Sequence, residues 1–434
     1  MNNLQLTIYF FMQIALILGA CRAVGLVAAR FGQPQVVAEM ITGVLLGPSV
    51  FGWLLPEAQE FCFPWDSTQK TRDSQSYMFP AAQLGLALYM FIVGMEFRVD
   101  IIRAHFKSSI AVSLAGMLAP FVLGLLLASV LFTQTKLFPA ETSLFEASLF
   151  MGASLCITAF PMLARIIHFK GLAGTRMGTV ALGAGAIDDA AAWCLLALVL
   201  ASFNGDFQAA IVSIGGGFCF VMVAGLVVKP LLRKFQWIFL NQKQELTETG
   251  LVLAIIVMAL GAMTTDWLHL HAVFGAFIAG ATIPRPVVYR QVIERIQPLT
   301  VVLLLPLFFT YSGLNTQISL LNTPTLWFIS LVVLAVAVLG KGVACWAAAR
   351  ATGIPNREAL GIGTLMNARG LMELIIINIG LERGIISGEL FAILVIMAIA
   401  TTLAASPIFE WLNPNRAGDA AVEIDAALHE VSRA

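Results

Sequence analysis

Gly183-Ala-Gly-Ala-Ile-Asp-Asp-Ala-Ala-Ala-Trp193 places two adjacent carboxylates, Asp188 and Asp189, near the middle of an apolar run from about Met177 to Leu200. At ~1.5 Å rise per residue, a helix over that run is long enough to cross a bilayer. An acid at the centre of such a helix costs about 2.5–3.5 kcal/mol on insertion scales. Neither carboxylate can escape to a headgroup, because the run continues by more than two turns on both sides. Successive helix positions are about 100° apart, so the two acids face different neighbours. That geometry suits one acid held by a fixed partner and the other offered to a cavity. The pair could instead act as glue between helices, but ionisable groups inside a membrane usually mark ion or proton paths.

The rest of the chain agrees with a membrane setting. Of 434 residues, 59% are hydrophobic and only 12% charged, and the mean hydropathy is +0.88. Those values exclude an ordinary soluble globular protein and define a polytopic, all-α membrane protein. The formal net charge is zero, so bulk electrostatics gives no argument for a nucleic-acid partner. Cys21, Cys62, Cys156, Cys194, Cys219 and Cys345 show neither metal nor redox spacing. The first segment lacks a basic n-region and a cleavage site, and reads as a retained helix.

Hydropathy with Gly/Pro punctuation divides the chain into thirteen candidate spans, at about 5–29, 35–55, 79–97, 108–132, 145–168, 177–203, 208–232, 247–265, 270–284, 298–314, 325–349, 357–381 and 388–412. Loops leaving odd-numbered spans carry most of the Lys and Arg, among them Arg30, Arg103, Lys170, Arg233, Arg295 and Arg350. Loops leaving even-numbered spans hold only Lys70, Arg72, Lys136 and Arg383. The positive-inside rule then puts the N-terminus outside and the C-terminus in the cytoplasm, as expected of a bacterial inner membrane protein. Thirteen divides into six, a linker and six, and a shift of seven spans inverts the second copy. Phe91-Ile-Val-Gly-Met-Glu-Phe97 echoes Thr310-Tyr-Ser-Gly-Leu-Asn-Thr316, and Gly152 to Thr158 parallels Gly363 to Arg369. Inverted repeats of this kind characterise secondary transporters, whose sites lie where paired helices are broken.

Spans 5 and 12 are the expected broken, crossing pair. Span 5 holds Ser154 and then Thr158-Ala-Phe-Pro161 at its middle, where Pro161 removes a donor. Span 12 holds Asn367-Ala-Arg-Gly370 at equivalent depth. Lys341 lies mid-span in Leu339-Gly-Lys-Gly-Val343, about 12 Å from the helix end near Ala349, which is far to snorkel. A buried lysine needs a carboxylate or a lost proton. Pairing with Asp188, which leaves Asp189 for an ion, is the favoured order, and the reverse stays open. Arg369 and Glu373, at i and i+4, can neutralise each other and prop the broken helix. Glu39 is expected near the cytoplasmic end of span 2, in a funnel or packing role. His269 and His271 flank the short connection between spans 8 and 9. No nucleophile–base pair, phosphate loop or cofactor motif is visible, so neither an enzyme nor a cofactor is expected.

Several of these stretches resemble one family. Gly32-Gln-Pro-Gln-Val-Val-Ala-Glu-Met-Ile-Thr-Gly-Val-Leu-Leu-Gly-Pro-Ser49, Ala186-Ile-Asp-Asp-Ala190, the run from His271 to Gly280, Gly340-Lys341 and Met366-Asn-Ala-Arg-Gly-Leu-Met-Glu-Leu374 are similar to the second branch of the monovalent cation:proton antiporters. That branch includes bacterial Na⁺/H⁺ antiporters, potassium-efflux transporters and plant cation/H⁺ exchangers. The resemblance implies a homodimer of thirteen-helix subunits, with scaffold helices in 1–107 and 246–323, core helices in 108–203 and 324–413, a linker in 204–245 and a short cytoplasmic tail in 414–434. It also implies that Asp189 binds the cation, that Asp188 pairs with Lys341, and that span 5 contributes near Thr158. A double-aspartate site is associated in such relatives with electrogenic exchange. Potassium-efflux relatives carry a large cytosolic nucleotide-binding domain, and the tail here is too short for one, so nucleotide gating is not expected. The reading is a secondary antiporter of a monovalent cation, Na⁺ foremost and Li⁺ or K⁺ as alternatives, against protons. A K⁺/H⁺ antiporter, a sodium-coupled organic-anion symporter and a proton-channel subunit are the competing readings.

Overall fold

The computed structural model describes residues 3–30, 33, 35–66, 71–96, 105–172, 175–204, 207–268, 270, 272–284, 287–314 and 318–412. His269, His271 and the tail 413–434 lie outside the described residues. Apart from a two-residue antiparallel ribbon, Trp65–Asp66 with Thr71–Arg72, the described chain is helical. Sixteen helices carry the argument: α1 (Asn3–Arg30), α2 (Gln35–Leu46), α3 (Asp73–Glu96), α4 (Phe106–Gln134), α5 (Leu144–Cys156), α6 (Phe160–Phe169), α7 (Arg176–Asn204), α8 (Phe207–Val223), α9 (Glu248–Trp267), α10 (Ala272–Thr282), α11 (Val287–Leu299), α12 (Leu305–Leu314), α13 (Pro324–Ala351), α14 (Asn356–Leu365), α15 (Leu371–Glu382) and α16 (Gly388–Leu412).

Helices occupy all thirteen stretches marked by hydropathy. Nine segments among the described residues are individually long and apolar enough to cross a membrane, and α5 and α10 are shorter apolar helices. The count of thirteen therefore rests on treating α7, which carries Asp188 and Asp189, together with the short and interrupted helices as crossings too. Spans 5 and 12 are each interrupted at their middle, as α5/α6 and α14/α15.

Two compact units make up the chain. Unit 1 comprises residues 1–24, 39–98 and 193–316, and unit 2 comprises 25–38, 99–192 and 317–434. In unit 1, a core of Phe91, Met95, Ala254, Met258, Ala276 and Ala279 joins α3, α9 and α10. In unit 2, Leu163, Ile166, Val180, Ala184, Cys345, Ile362 and Leu365 bring α6, α7, α13 and α14 together.

Two helices of unit 2, α4 and α13, bury small and polar residues and turn leucines outward. On α13, Ile329, Val333, Ala337, Lys341, Cys345 and Ala349 are buried at every fourth position, whereas Leu331 and Leu339 are each 62% exposed. On α4, Ser109, Ser113, Gly116 and Gly124 are buried, whereas Leu118 and Leu126 face outward. Polar and small residues inside with leucine outside suit a helix whose solvent is lipid. Gly124 of α4 approaches Gly152 of α5 so closely that a Cβ on it would lie 2.7 Å from the Gly152 Cα. A Cβ on Gly363 of α14 would lie 2.5 Å from the Gly342 carbonyl oxygen of α13. These approaches bring the ends of the interrupted helices within reach of side chains from α4 and α13.

Candidate functional site

Local sequence sets both interruptions. A capping box, with the Ser143 hydroxyl accepting from the Glu146 N–H and the Glu146 carboxylate accepting from the Ser143 N–H, starts α5. The helix runs to Cys156, and Ile157, Thr158 and Ala159 leave helical geometry before α6 begins at Phe160. Pro161 thus sits in the first turn of α6, where its missing N–H is one the helix start leaves over in any case. The proline marks the start of the second half-helix rather than a kink inside a continuous one. In span 12, α14 ends at Leu365 and α15 begins at Leu371, with Gly370 as its N-cap. The two interruptions touch: the Ala159 N–H donates to the Ala368 carbonyl at 3.2 Å.

Broken helices expose backbone, and buried cations meet it. The last turn of α5 ends in carbonyls with no helical partner, at the negative pole of the helix. Arg369 Nη1 donates to the Ser154 carbonyl at 3.0 Å, and Nη2 donates to that of Leu155 at 2.7 Å. Lys341 Nζ donates to the Cys156 carbonyl. Arg369 also pairs with Glu373 Oε1 at 3.1 Å. Its backbone is held in turn by Thr402, whose Oγ1 accepts from the Arg369 N–H and donates to the Arg369 carbonyl. Arg369 and Lys341 are both fully buried.

The two acids have different surroundings. Asp188 accepts from Ser113 Oγ at Oδ1 (2.6 Å) and from Thr158 Oγ1 at Oδ2 (2.8 Å), and Lys341 Nζ lies 3.2 Å from Oδ2. It is a satisfied, ion-paired carboxylate. Asp189 takes a backbone hydrogen bond from Phe160, the first residue of α6, so the positive end of a half-helix faces it. Its Oδ1 is buried and has no hydrogen-bond partner among the described residues.

The other sequence-predicted residues divide between the units. Ser154 is buried, and its Oγ has no hydrogen-bond partner among the described residues. Asn367 Nδ2 donates to the Gly363 carbonyl at 3.0 Å, its Oδ1 has no partner among the described residues, and it lines a cavity of about 200 Å³ with Gly342, Trp346, Gly363 and Thr401. Glu39, 2% exposed, is in α2 of unit 1, near Cys21. Sequence reasoning missed Ser113 and Thr402. The available signal was a hydroxyl residue within an apolar span, which both of them are.

A pair of acids at the crossing of two interrupted helices, with two buried cations closing the exposed carbonyls, defines an ion-handling membrane core. Residues 14–412 match the family model described as sodium/hydrogen exchanger, transmembrane, and the chain belongs to that family. It is 39% identical over 408 residues to the Na⁺/H⁺ antiporter NhaS4 of Synechocystis sp., covering 92% of this chain and 96% of that relative. It is 31% identical over 425 residues to K⁺/H⁺ antiporter 1 of Saccharomyces cerevisiae, covering 95% of this chain and 47% of that longer protein. The solved structure of the sodium proton antiporter MjNhaP1 from Methanocaldococcus jannaschii at pH 8 matches with a TM-score of 0.65 at 14% identity, over 94% of this chain and 100% of that one. At that identity the likeness is one of fold.

Proposed function

We propose that this chain is a secondary antiporter that exchanges Na⁺ for H⁺ by alternating access, with Asp189 as the shared binding group. The observation that carries the reading is the asymmetry of the two acids. Asp188 has its donors and its lysine, whereas Asp189 keeps a buried oxygen without a partner among the described residues, next to the start of α6. Burial in a low-dielectric setting makes a carboxylate favour a proton or a bound cation over the bare charge. A proton and a metal ion then compete for one group, and that competition couples the two fluxes. Thr158, having given its only proton to Asp188, has lone pairs to offer the cation.

The 39% identity to an Na⁺/H⁺ antiporter supports Na⁺ as the cation, and the yeast relative favours K⁺ as the second reading. The site-bearing helices α4–α7 and α13–α16 form the mobile core, the scaffold helices dimerise the protein, and the N-terminus lies outside with the C-terminus in the cytoplasm. The basic loops after odd-numbered spans support that orientation. The test is cation-induced dequenching of a ΔpH dye in proteoliposomes, screened over Na⁺, Li⁺ and K⁺. Na⁺ is expected to collapse the gradient. A gradient that dissipates equally with no cation added points to a proton channel.

A further inference from the structure

Asp188 receives three side-chain donors, and they are unevenly shared. Thr158 and Lys341 both serve Oδ2, and Ser113 is the donor to Oδ1, at 2.6 Å. Ser113 is fully buried on α4, one turn from Ser109, whose hydroxyl donates to the Val180 carbonyl of α7 at 3.4 Å. The next turn of the same stripe is Gly116, where a Cβ would lie 2.4 Å from Cys345 Sγ and 4.0 Å from the Lys341 stem. The stripe therefore packs directly against the Asp188–Lys341 pair.

Thr158 has one hydroxyl proton and two acceptors within reach, Asp188 Oδ2 at 2.8 Å and the Met366 carbonyl at 3.3 Å. It can serve only one at a time. The charged, nearer oxygen wins as long as the carboxylate presents Oδ2 to it. What fixes that presentation is the bond at the opposite oxygen. Without a donor at Oδ1, the carboxylate is left with a buried, unsatisfied oxygen. It then gains by turning both oxygens toward Lys341, so the Thr158 proton passes to the Met366 carbonyl and the Thr158 lone pairs are turned from their present direction.

We propose that Ser113 is a positioning residue for the cation site: by holding Asp188 Oδ1 it commits the Thr158 proton to Asp188 and leaves the Thr158 oxygen free to accept a cation shared with Asp189. This rests on the exchange reading above. Ser113 touches no cation itself, so its loss lowers affinity for the cation and spares the maximal rate.

The experiment compares Ser113→Thr with Ser113→Val in the full chain in proteoliposomes, reading dye dequenching against Na⁺ concentration. The two replacements have the same shape, and only threonine keeps the hydroxyl. Ser113→Val is expected to raise the half-saturating Na⁺ concentration about tenfold, the order of one charge-assisted hydrogen bond, with the maximal rate within about twofold. Ser113→Thr is expected to stay near the wild-type value. Ser113→Ala, which adds no bulk, is expected to follow valine and covers the case in which the β-branched pair does not fold. Equal half-saturation in the threonine and valine variants, or an alanine variant with wild-type half-saturation, overturns the proposal. A wild type without cation-dependent exchange overturns the antiport reading instead.

Discussion

At the residue scale, the decisive contrast is between a carboxylate whose charge is answered and its neighbour, whose charge is not. Asp188 and Lys341 are both fully buried and 3.2 Å apart, and Asp189 is 3% exposed with an oxygen that lacks a partner among the described residues. Breaking a buried ion pair from one side leaves an uncompensated charge and costs about 3–5 kcal/mol, whereas removing both charges is often far milder. Asp188→Asn and Lys341→Gln alone are therefore expected to lower the thermal unfolding midpoint in detergent more than the double variant does. A double variant less stable than both singles would mean that the pair is not the unit that balances charge here. From sequence, both acids and the lysine were visible as charges at mid-span. Their pairing order was not, because it depends on which face of α7 meets α13, and helices that are apolar nearly all round give periodicity little to read.

At the element scale, the interruptions at Ile157–Ala159 and Met366–Gly370 were foreshadowed by Thr158 to Pro161 and by Asn367 to Gly370. Polar residues and helix breakers at the centre of an apolar run have few structural uses other than opening the backbone. What lay beyond the sequence is how the opened backbone is satisfied. Arg369 spans the crossing to the Ser154 and Leu155 carbonyls, some two hundred positions earlier in the chain. The i,i+4 spacing to Glu373 predicted only the local half of its role. If these segments line the site, single cysteines at Thr158 and Asn367, in a background without the six native cysteines, are expected to react with small hydrophilic thiol reagents, with Na⁺ slowing the reaction at Thr158. Inertness at both positions would mean that the crossing is packed shut throughout the transport cycle.

At the scale of the whole molecule, the buried charges around the two acids bear on energetics. Asp188, Asp189 and Lys341 sum to −1 when the site is empty, and Arg369 with Glu373 adds nothing. One Na⁺ neutralises the site. Two protons, one on Asp189 and one on the Asp188–Lys341 pair, bring it to +1. If one Na⁺ exchanges for those two protons, the loaded states differ by one charge, and each cycle would move net charge worth about 2.3 kcal/mol per 100 mV. Transport current on a solid-supported membrane is therefore expected on Na⁺ addition, and it is expected to fall in the Asp188→Asn, Lys341→Gln double variant. A wild type that exchanges ions without current would assign Lys341 to structure alone.

The most direct measurement of the central claim is cation-dependent dye dequenching in proteoliposomes holding the wild type or Asp189→Asn. Asn keeps the shape and the Phe160 amide contact but can neither take up a proton nor hold a cation as a carboxylate does. The wild type is predicted to dissipate ΔpH on Na⁺ addition, and Asp189→Asn, present as folded protein in equal amount, is predicted to leave it intact. Substantial Na⁺-dependent proton flux through Asp189→Asn would contradict the account.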